Sequence, residues 1–294
     1  MEIRKIGISD REYPEALKTI HRAPPKLFVN GEILPGDANA VAIVGARRST
    51  IYGLQQCERL SYDLALKGIT IVSGMARGID TAAHKGALRA GGRTIAVLGS
   101  GHGHIYPREN KKLYAEITKN GAVISEFPHE TLPMPFNFPA RNRIISGLSR
   151  GVVVVEAARR SGALITADFA LEQGREVFAM PGNISSSRSA GTNALIKGGA
   201  KLTESAGDVL EELESVLDIK IGREESTEVR AKNPAATLSA EEKAVFGVLT
   251  DMPKPIDEIS GASRIPVSKI SRVLIALEIR RLAKMLPGEN FIKV

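Results

Sequence analysis

The first two thirds of the chain alternate short apolar runs with amphipathic stretches. Runs at 41–44, 69–72, 94–98, 122–125, 152–155, 176–179 and 200–202 are bounded by Gly or polar residues, the pattern of strands covered on both faces. Between them, helical periodicity is predicted over 53–67, 80–90, 109–119, 138–149, 163–173 and 192–197. Short strands alternating with helices predict an α/β fold, a mostly parallel, doubly wound sheet. Ligands of such sheets bind outside the carboxyl ends of the strands, where most of the Gly-rich turns of this chain fall. Residues 1–37 form a lead-in expected to pack on the domain at 38–219. Within it Tyr13-Pro14-Glu15-Ala16-Leu17 reads as a short helix start and Leu27-Phe28-Val29-Asn30-Gly31 as an edge strand with a turn.

After an acidic helix at 207–217 the periodicity stops, and residues 220–237 read as a polar linker containing Asn233-Pro234. From 238 to 294 the pattern is that of a small separate domain. Ser239-Ala240-Glu241-Glu242 caps a helix running to Leu249, residues 256–260 give a second, and Pro266 opens a third over 267–279. Val267, Ile270, Val273, Leu274 and Leu277 share one face of that third helix. Residues 282–286, a Pro287-Gly288 turn and 291–294 complete a hairpin. Three helices and a hairpin describe a winged helix.

Two turns carry the clearest chemistry. The first predicted strand of the main domain breaks at Gly45-Ala46-Arg47-Arg48-Ser49-Thr50 and the second at Ser73-Gly74-Met75-Ala76-Arg77-Gly78-Ile79-Asp80. Glycine lets backbone approach a ligand, helix-start N–H groups attract anions, and guanidinium groups fork onto phosphate. The turn is not a dinucleotide fingerprint, because Arg47 stands where the second glycine belongs, and no Gly-Lys-Ser/Thr occurs for a Walker A loop. No cofactor is therefore expected. A third cationic helix start, Phe136-Asn137-Phe138-Pro139-Ala140-Arg141-Asn142-Arg143, sets two arginines beside two aromatics. Further strand-to-helix turns lie at Arg159-Arg160-Ser161-Gly162 leading to Thr166, at Met180-Pro181-Gly182-Asn183 and at Gly191-Thr192-Asn193.

Other apparent motifs fail on context. Gly147-Leu148-Ser149-Arg150-Gly151 matches a nucleophile elbow in letters, yet a predicted helix precedes it and a strand follows. His102 and His104 lack companion ligands for a metal, His84 reads as structural, and the single cysteine, Cys57, lies in an amphipathic helix as a core thiol. The start of the chain has no signal-peptide pattern and no apolar run is long enough to span a bilayer, so a cytoplasmic protein without a membrane partner is expected.

Charge sharpens the picture. The formal net charge of +7 is concentrated between residues 40 and 150, with 15 Lys and Arg against 7 Asp and Glu, whereas 204–230 holds 3 against 9. A nucleotide or an extended polyanion fits that half of the chain, although solvated surface lysines give the same total.

These turns, with Thr81-Ala82-Ala83-His84, Ile144-Ile145, Ser161-Gly162-Ala163-Leu164-Ile165-Thr166-Ala167 and Pro181-Gly182-Asn183 in the same order, resemble the DNA-processing protein A (DprA, or Smf) family. The resemblance implies an extended Rossmann-like domain that binds single-stranded DNA, forms a homodimer, protects incoming DNA in natural transformation and helps load the RecA recombinase. Carried onto this sequence, its DNA and phosphate contacts fall on Gly45, Arg47, Ser73, Gly74, Met75, Ala76, Arg77, Gly78, Phe138, Arg141, Asn142, Arg143 and Thr166. The residues themselves add Phe136, Phe138 and Tyr106 as stacking platforms, with Met75 as an apolar substitute, and weak sequence preference with strong salt dependence. Two rivals remain. The same domain type resembles lonely-guy nucleotide phosphoribohydrolases, but the turn at 160–166 is followed by no glutamate until Glu172. Alternatively the winged helix is the DNA reader, although its net charge is only +2, from 9 basic and 7 acidic residues.

Overall fold

The structure is a computed structural model that describes residues 3–217, 238–280, 282–286 and 288–293. The linker expected at 220–237 lies outside the described residues. The chain divides into two compact units, Met1–Ile221 and Gly222–Val294.

The first unit is built on a nine-stranded sheet. In chain order its elements are β1 (Arg4–Gly7), α1 (Glu15–Lys18), β2 (Lys26–Gly31), β3 (Ala40–Val44), α2 (Ile51–Leu66), β4 (Thr70–Ser73), α3 (Ile79–Arg89), β5 (Thr94–Val97), α4 (Lys111–Asn120), β6 (Gly121–Ser125), α5 (Asn137–Gly147), β7 (Gly151–Val154), α6 (Gly162–Glu172), β8 (Glu176–Ala179), α7 (Ala190–Lys197), β9 (Lys201–Leu202) and α8 (Ala206–Leu213). The spatial order is β1-β2-β6-β5-β4-β3-β7-β8-β9. Strands β3 to β9 run parallel to their neighbours, and β2 and β1 add antiparallel beyond β6. The order reverses between β3 and β7, which makes the gap at their carboxyl ends the switch point where such sheets bind ligands.

All seven predicted parallel strands form, the inner ones because each apolar run can bury both of its faces, whereas the two-residue edge strand β9 is exposed. Along β3, Ala40, Ala42 and Val44 join a core with α5 and α6, while Val41 and Ile43 join one with α2, α3 and α8. Period-two alternation into two cores is what the doubly wound reading requires. The lead-in differs from expectation in one respect. The strand at 27–31 is internal, because β1 pairs with its outer side in the register Arg4 to Val29 through Gly7 to Lys26. With Ile6 its only large apolar residue, Arg4-Lys5-Ile6-Gly7 carries too little pattern to announce a strand.

The second unit is a winged helix. It comprises α9 (Ala240–Val248), β10 (Lys254–Pro255), α10 (Ile256–Ser263), α11 (Val267–Ile279), β11 (Ala283–Leu286) and β12 (Asn290–Lys293), with the three strands ordered β10-β12-β11. The predicted cap is present: Glu242 N donates to Ser239 Oγ at 3.2 Å and Ser239 N donates to Glu242 Oε2 at 2.7 Å. Ile270, Val273, Leu274 and Leu277 are buried as expected, whereas Val267, in the first turn of α11, is 47% exposed. Among the described residues no helix is long and apolar enough to cross a membrane.

Candidate nucleic-acid interface

At the switch point a cleft of about 870 Å³ opens among six segments. They are the turn after β3, the turn after β4, the loop between β5 and α4, the start of α5 with its preceding loop, the turn between β7 and α6, and the loop before α7. Of the residues expected to contact DNA, Gly45, Arg47, Ala76, Phe138, Arg141, Asn142 and Thr166 come together in its lining. Their positions are distant in sequence and are joined only by the parallel sheet, which brings the ends of β3, β4 and β7 side by side.

The floor is internally paired. Arg141 is 3% exposed, and its Nη1 donates to Gly74 O at 2.8 Å and to Val97 O. Asp80 is 6% exposed, and its Oδ2 accepts from Gly74 N at 3.1 Å and Ala76 N at 3.3 Å. Burial pushes the Asp80 carboxyl above its usual range against the pull of Arg141, and burial lowers Arg141 to about 10 against the pull of Asp80. Each charge is tolerated in the floor because the other is there. The N–H groups that the sequence offers to a ligand's phosphate are thus already taken by Asp80.

The rim is different. Arg47, Arg48, Arg160 and Arg188 line the cleft, all four are exposed, and none is ion-paired among the described residues. Arg47 lies over the half-buried Phe138 ring, 5.1 Å from its centroid, and Tyr106 meets the other part of that ring at 5.6 Å. Phe136, the residue before α5, is 69% exposed but is not among the residues that line the cleft. The turns themselves are locked together. Gly78 has φ +75°, and a Cβ there would collide with the backbone carbonyls of Ala46 and Arg47. Ile79 N also donates to Ala46 O at 3.2 Å.

Six expected contacts are directed elsewhere. Ser73 is buried and donates to Ile43 O at 2.6 Å, and Gly74 is closed in by Asp80 and Arg141. Met75 is fully buried against α4, so it offers no stacking surface. Gly78 is the spacer between turns rather than a ligand contact. Arg77 forms a fork with Glu109, with two hydrogen bonds of 2.7 Å that raise the arginine and lower the glutamate from their usual pKa values. Arg143 forks onto Glu126 at 2.8 and 2.6 Å and donates to Arg22 O at 3.1 Å. At 100° per residue, two residues along a helix means opposite sides, so Arg141 and Arg143 cannot serve one cleft. Sequence reasoning named the turns holding Arg48 and Arg160 without assigning those side chains, and it passed over Arg188. Only the run Arg47-Arg48 offered a direct signal for one of the three.

His102, His84 and the thiol are structural. His102 bridges Tyr114 Oη at 2.8 Å and Phe28 O at 2.9 Å. His84 is fully buried, with Nδ1 at 2.7 Å from Thr94 Oγ1. Since Thr94 Oγ1 donates to Ile71 O, it must accept from His84, which puts the imidazole proton on Nδ1. Burial lowers the His84 pKa to about 3. The Cys57 thiol, buried inside α2, is pushed well above its usual value. Among the described residues no cluster of His, Cys, Asp and Glu is arranged to hold a metal.

The family model for DNA recombination-mediator protein A matches residues 4–214, and that for the DprA winged helix domain matches 229–289. The chain belongs to the DprA/Smf family. DNA processing protein DprA of Bacillus subtilis is 48% identical over 212 residues, 72% of this chain and 71% of that protein. Protein Smf of Escherichia coli is 41% identical over 277 residues, 94% of this chain and 74% of that protein. Two solved structures are similar. DprA from Streptococcus pneumoniae gives a TM-score of 0.69 at 46% identity, with 72% of this chain and 75% of that one covered. The Helicobacter pylori DprA structure described for its single-stranded DNA binding mode gives 0.65 at 31% identity, with 73% and 97% covered. DprA/Smf proteins are DNA-processing proteins and not enzymes.

Proposed function

We propose that this DprA/Smf protein binds single-stranded DNA in the switch-point cleft, with Arg47, Arg48, Arg160 and Arg188 on phosphates and Phe136, Phe138 and Tyr106 against bases. The observation that carries this reading is the juxtaposition of four exposed guanidinium groups, none ion-paired with a carboxylate among the described residues, with the Phe138 and Tyr106 rings around one opening. A positive groove plus flat side chains is what strand binding without sequence preference needs. The similarity to a Helicobacter pylori protein with a described single-stranded DNA binding mode supports it. Asp80 and Arg141 act from below as the support of the turns, and Gly45, Ala76, Asn142 and Thr166 shape the wall.

Family membership is the ground for the finer roles: protection of incoming DNA in natural transformation, loading of the RecA recombinase, homodimerisation and a cytoplasmic location. On the same ground we propose residues 1–37 as part of the DNA-binding domain through 219, with 220–237 as the linker to the winged helix.

The winged helix is the less favoured DNA reader. Its two cations on the outer side of α11, Lys269 and Arg272, both lie within 4 Å of Glu241, at 3.6 and 3.9 Å, so their charge is partly spent within the unit.

The test is fluorescence anisotropy with a labelled oligothymidylate at several salt concentrations. Charge reversal of Arg47 and Arg160 together should weaken binding for every sequence, and each rim arginine changed to alanine should flatten the plot of log affinity against log salt by about 0.7. Reversal of Lys269 and Arg272 should leave both quantities unchanged. Unaltered affinity in a folded Arg47→Glu, Arg160→Glu protein, or loss of binding with the α11 variant alone, would overturn the assignment.

A further inference from the structure

Doubly wound sheets that bind nucleotides dock a phosphate on the start of the helix that follows the first strand of the switch point, where backbone N–H groups are unpaired. In this protein that helix is α2, and its start is filled from within the chain. Glu156, two residues past the end of β7, is 6% exposed. Its Oε2 accepts from Thr50 N at 2.8 Å and its Oε1 from Thr50 Oγ1 at 2.9 Å. Thr50 Oγ1 in turn accepts from Gly53 N at 2.9 Å. A Cβ at position 53 would come within 2.8 Å of Glu156 Oε2, so the glycine is what lets the carboxylate lie along the first turn of the helix. Among the described residues no lysine or arginine is ion-paired with Glu156, and the donors that satisfy it belong to the helix start. Backbone fixes it as well, since Ala46 N donates to Glu156 O at 2.7 Å.

We infer that Glu156 is a specificity-determining residue: it occupies the α2 start as a built-in anion and keeps the phosphate of free nucleotides from docking there. Two effects act together. The carboxylate lies along the first turn and takes the N–H and hydroxyl of the cap residue Thr50, and its charge repels a second anion brought alongside. A nucleic-acid strand escapes this exclusion, because its phosphates are held by the arginines at the rim and do not need the helix start. That half of the inference rests on the proposed single-strand binding. The exclusion of mononucleotides does not. The neighbouring turn follows a similar plan, with Asp80, in the first turn of α3, accepting from Gly74 N and Ala76 N of the loop that leads into the helix. Backbone donors beside the cleft are thus answered by carboxylates of the chain, while the guanidinium groups of the rim are open.

The experiment is isothermal titration of the full chain with AMP, comparing the unaltered protein with Glu156→Ala and Glu156→Gln, while an oligothymidylate titration runs as a separate arm. Glu156→Ala should bind AMP about tenfold more tightly than the unaltered protein, the effect of freeing a helix-start anion site. Glu156→Gln, which keeps the volume and removes the charge, should gain less. Glu156→Ser, a small polar replacement without the charge, carries the comparison if the alanine variant does not fold. Variants that gain no AMP affinity, or an unaltered protein that already binds AMP as tightly as they do, would overturn the inference. Absence of oligothymidylate binding alongside a gain of AMP binding would overturn the proposed function and leave the role of Glu156 intact.

Discussion

The floor and the rim of the cleft are both rich in arginine, and they use it in opposite ways. In the floor Arg141 is out of contact with water, faces Asp80 and donates to two backbone carbonyls. On the rim Arg47, Arg48, Arg160 and Arg188 reach into solvent with no carboxylate paired to them among the described residues. Desolvation makes the first kind a structural member, because a buried charge must be answered by the protein itself. Hydration leaves the second kind available to a ligand. The residue type therefore says little about role until burial and partners are known.

That contrast is broken most forcefully at Arg141. Arg141→Ala strands the Asp80 carboxylate in the floor and should cost about 3–5 kcal/mol of stability, read from urea denaturation. A loss below about 1 kcal/mol, the size of an exposed pair, would place Arg141 with the rim. Next in size is an acid effect in the core behind the cleft, at His84 of α3. His84 is buried neutral, its pKa lowered to about 3 from 6.5, so the folded state binds fewer protons than the unfolded chain between those values. Its stabilising contribution is complete above pH 6.5 and is lost as the pH falls toward 3, at about 1.4 kcal/mol per pH unit while the unfolded histidine is charged. Denaturation curves for His84→Gln against the unaltered protein should converge as the pH falls through this window, and parallel curves would argue against it. The smallest effect is expected at Arg77, whose fork with Glu109 is fully exposed and outside the cleft lining. Arg77→Ala should leave the anisotropy titration unchanged, and a clear loss of DNA affinity would extend the rim past the second turn.

Much of the fold was legible because strand and helix patterns act locally. Six apolar runs became strands with buried faces, a seventh became the short exposed edge strand β9, and the Ser239 to Glu242 cap announced α9. β1 was illegible since its place depends on pairing with β2, and Ile6 supplies only one buried anchor. The site was legible as a cluster of cationic turns and illegible as a division of labour. Nothing near Arg77 or Arg143 in sequence reveals that Glu109 and Glu126 will meet them, because those encounters are set by how α4 and β6 pack. Arg188 was missed for the converse reason: it sits in a serine-rich loop that only the closing of the sheet brings to the opening.

Gly78 has a consequence that reaches beyond its own turn. By letting the backbone at 46–47 rest directly on the backbone at 78, it fuses two loops into one rigid jaw before any ligand arrives. A side chain at this position would act as a wedge, spreading the jaw and swinging Arg47 away from Phe138. The width of the opening is therefore governed by a residue that never meets what passes through it, and an incoming strand finds its anchor points already aligned.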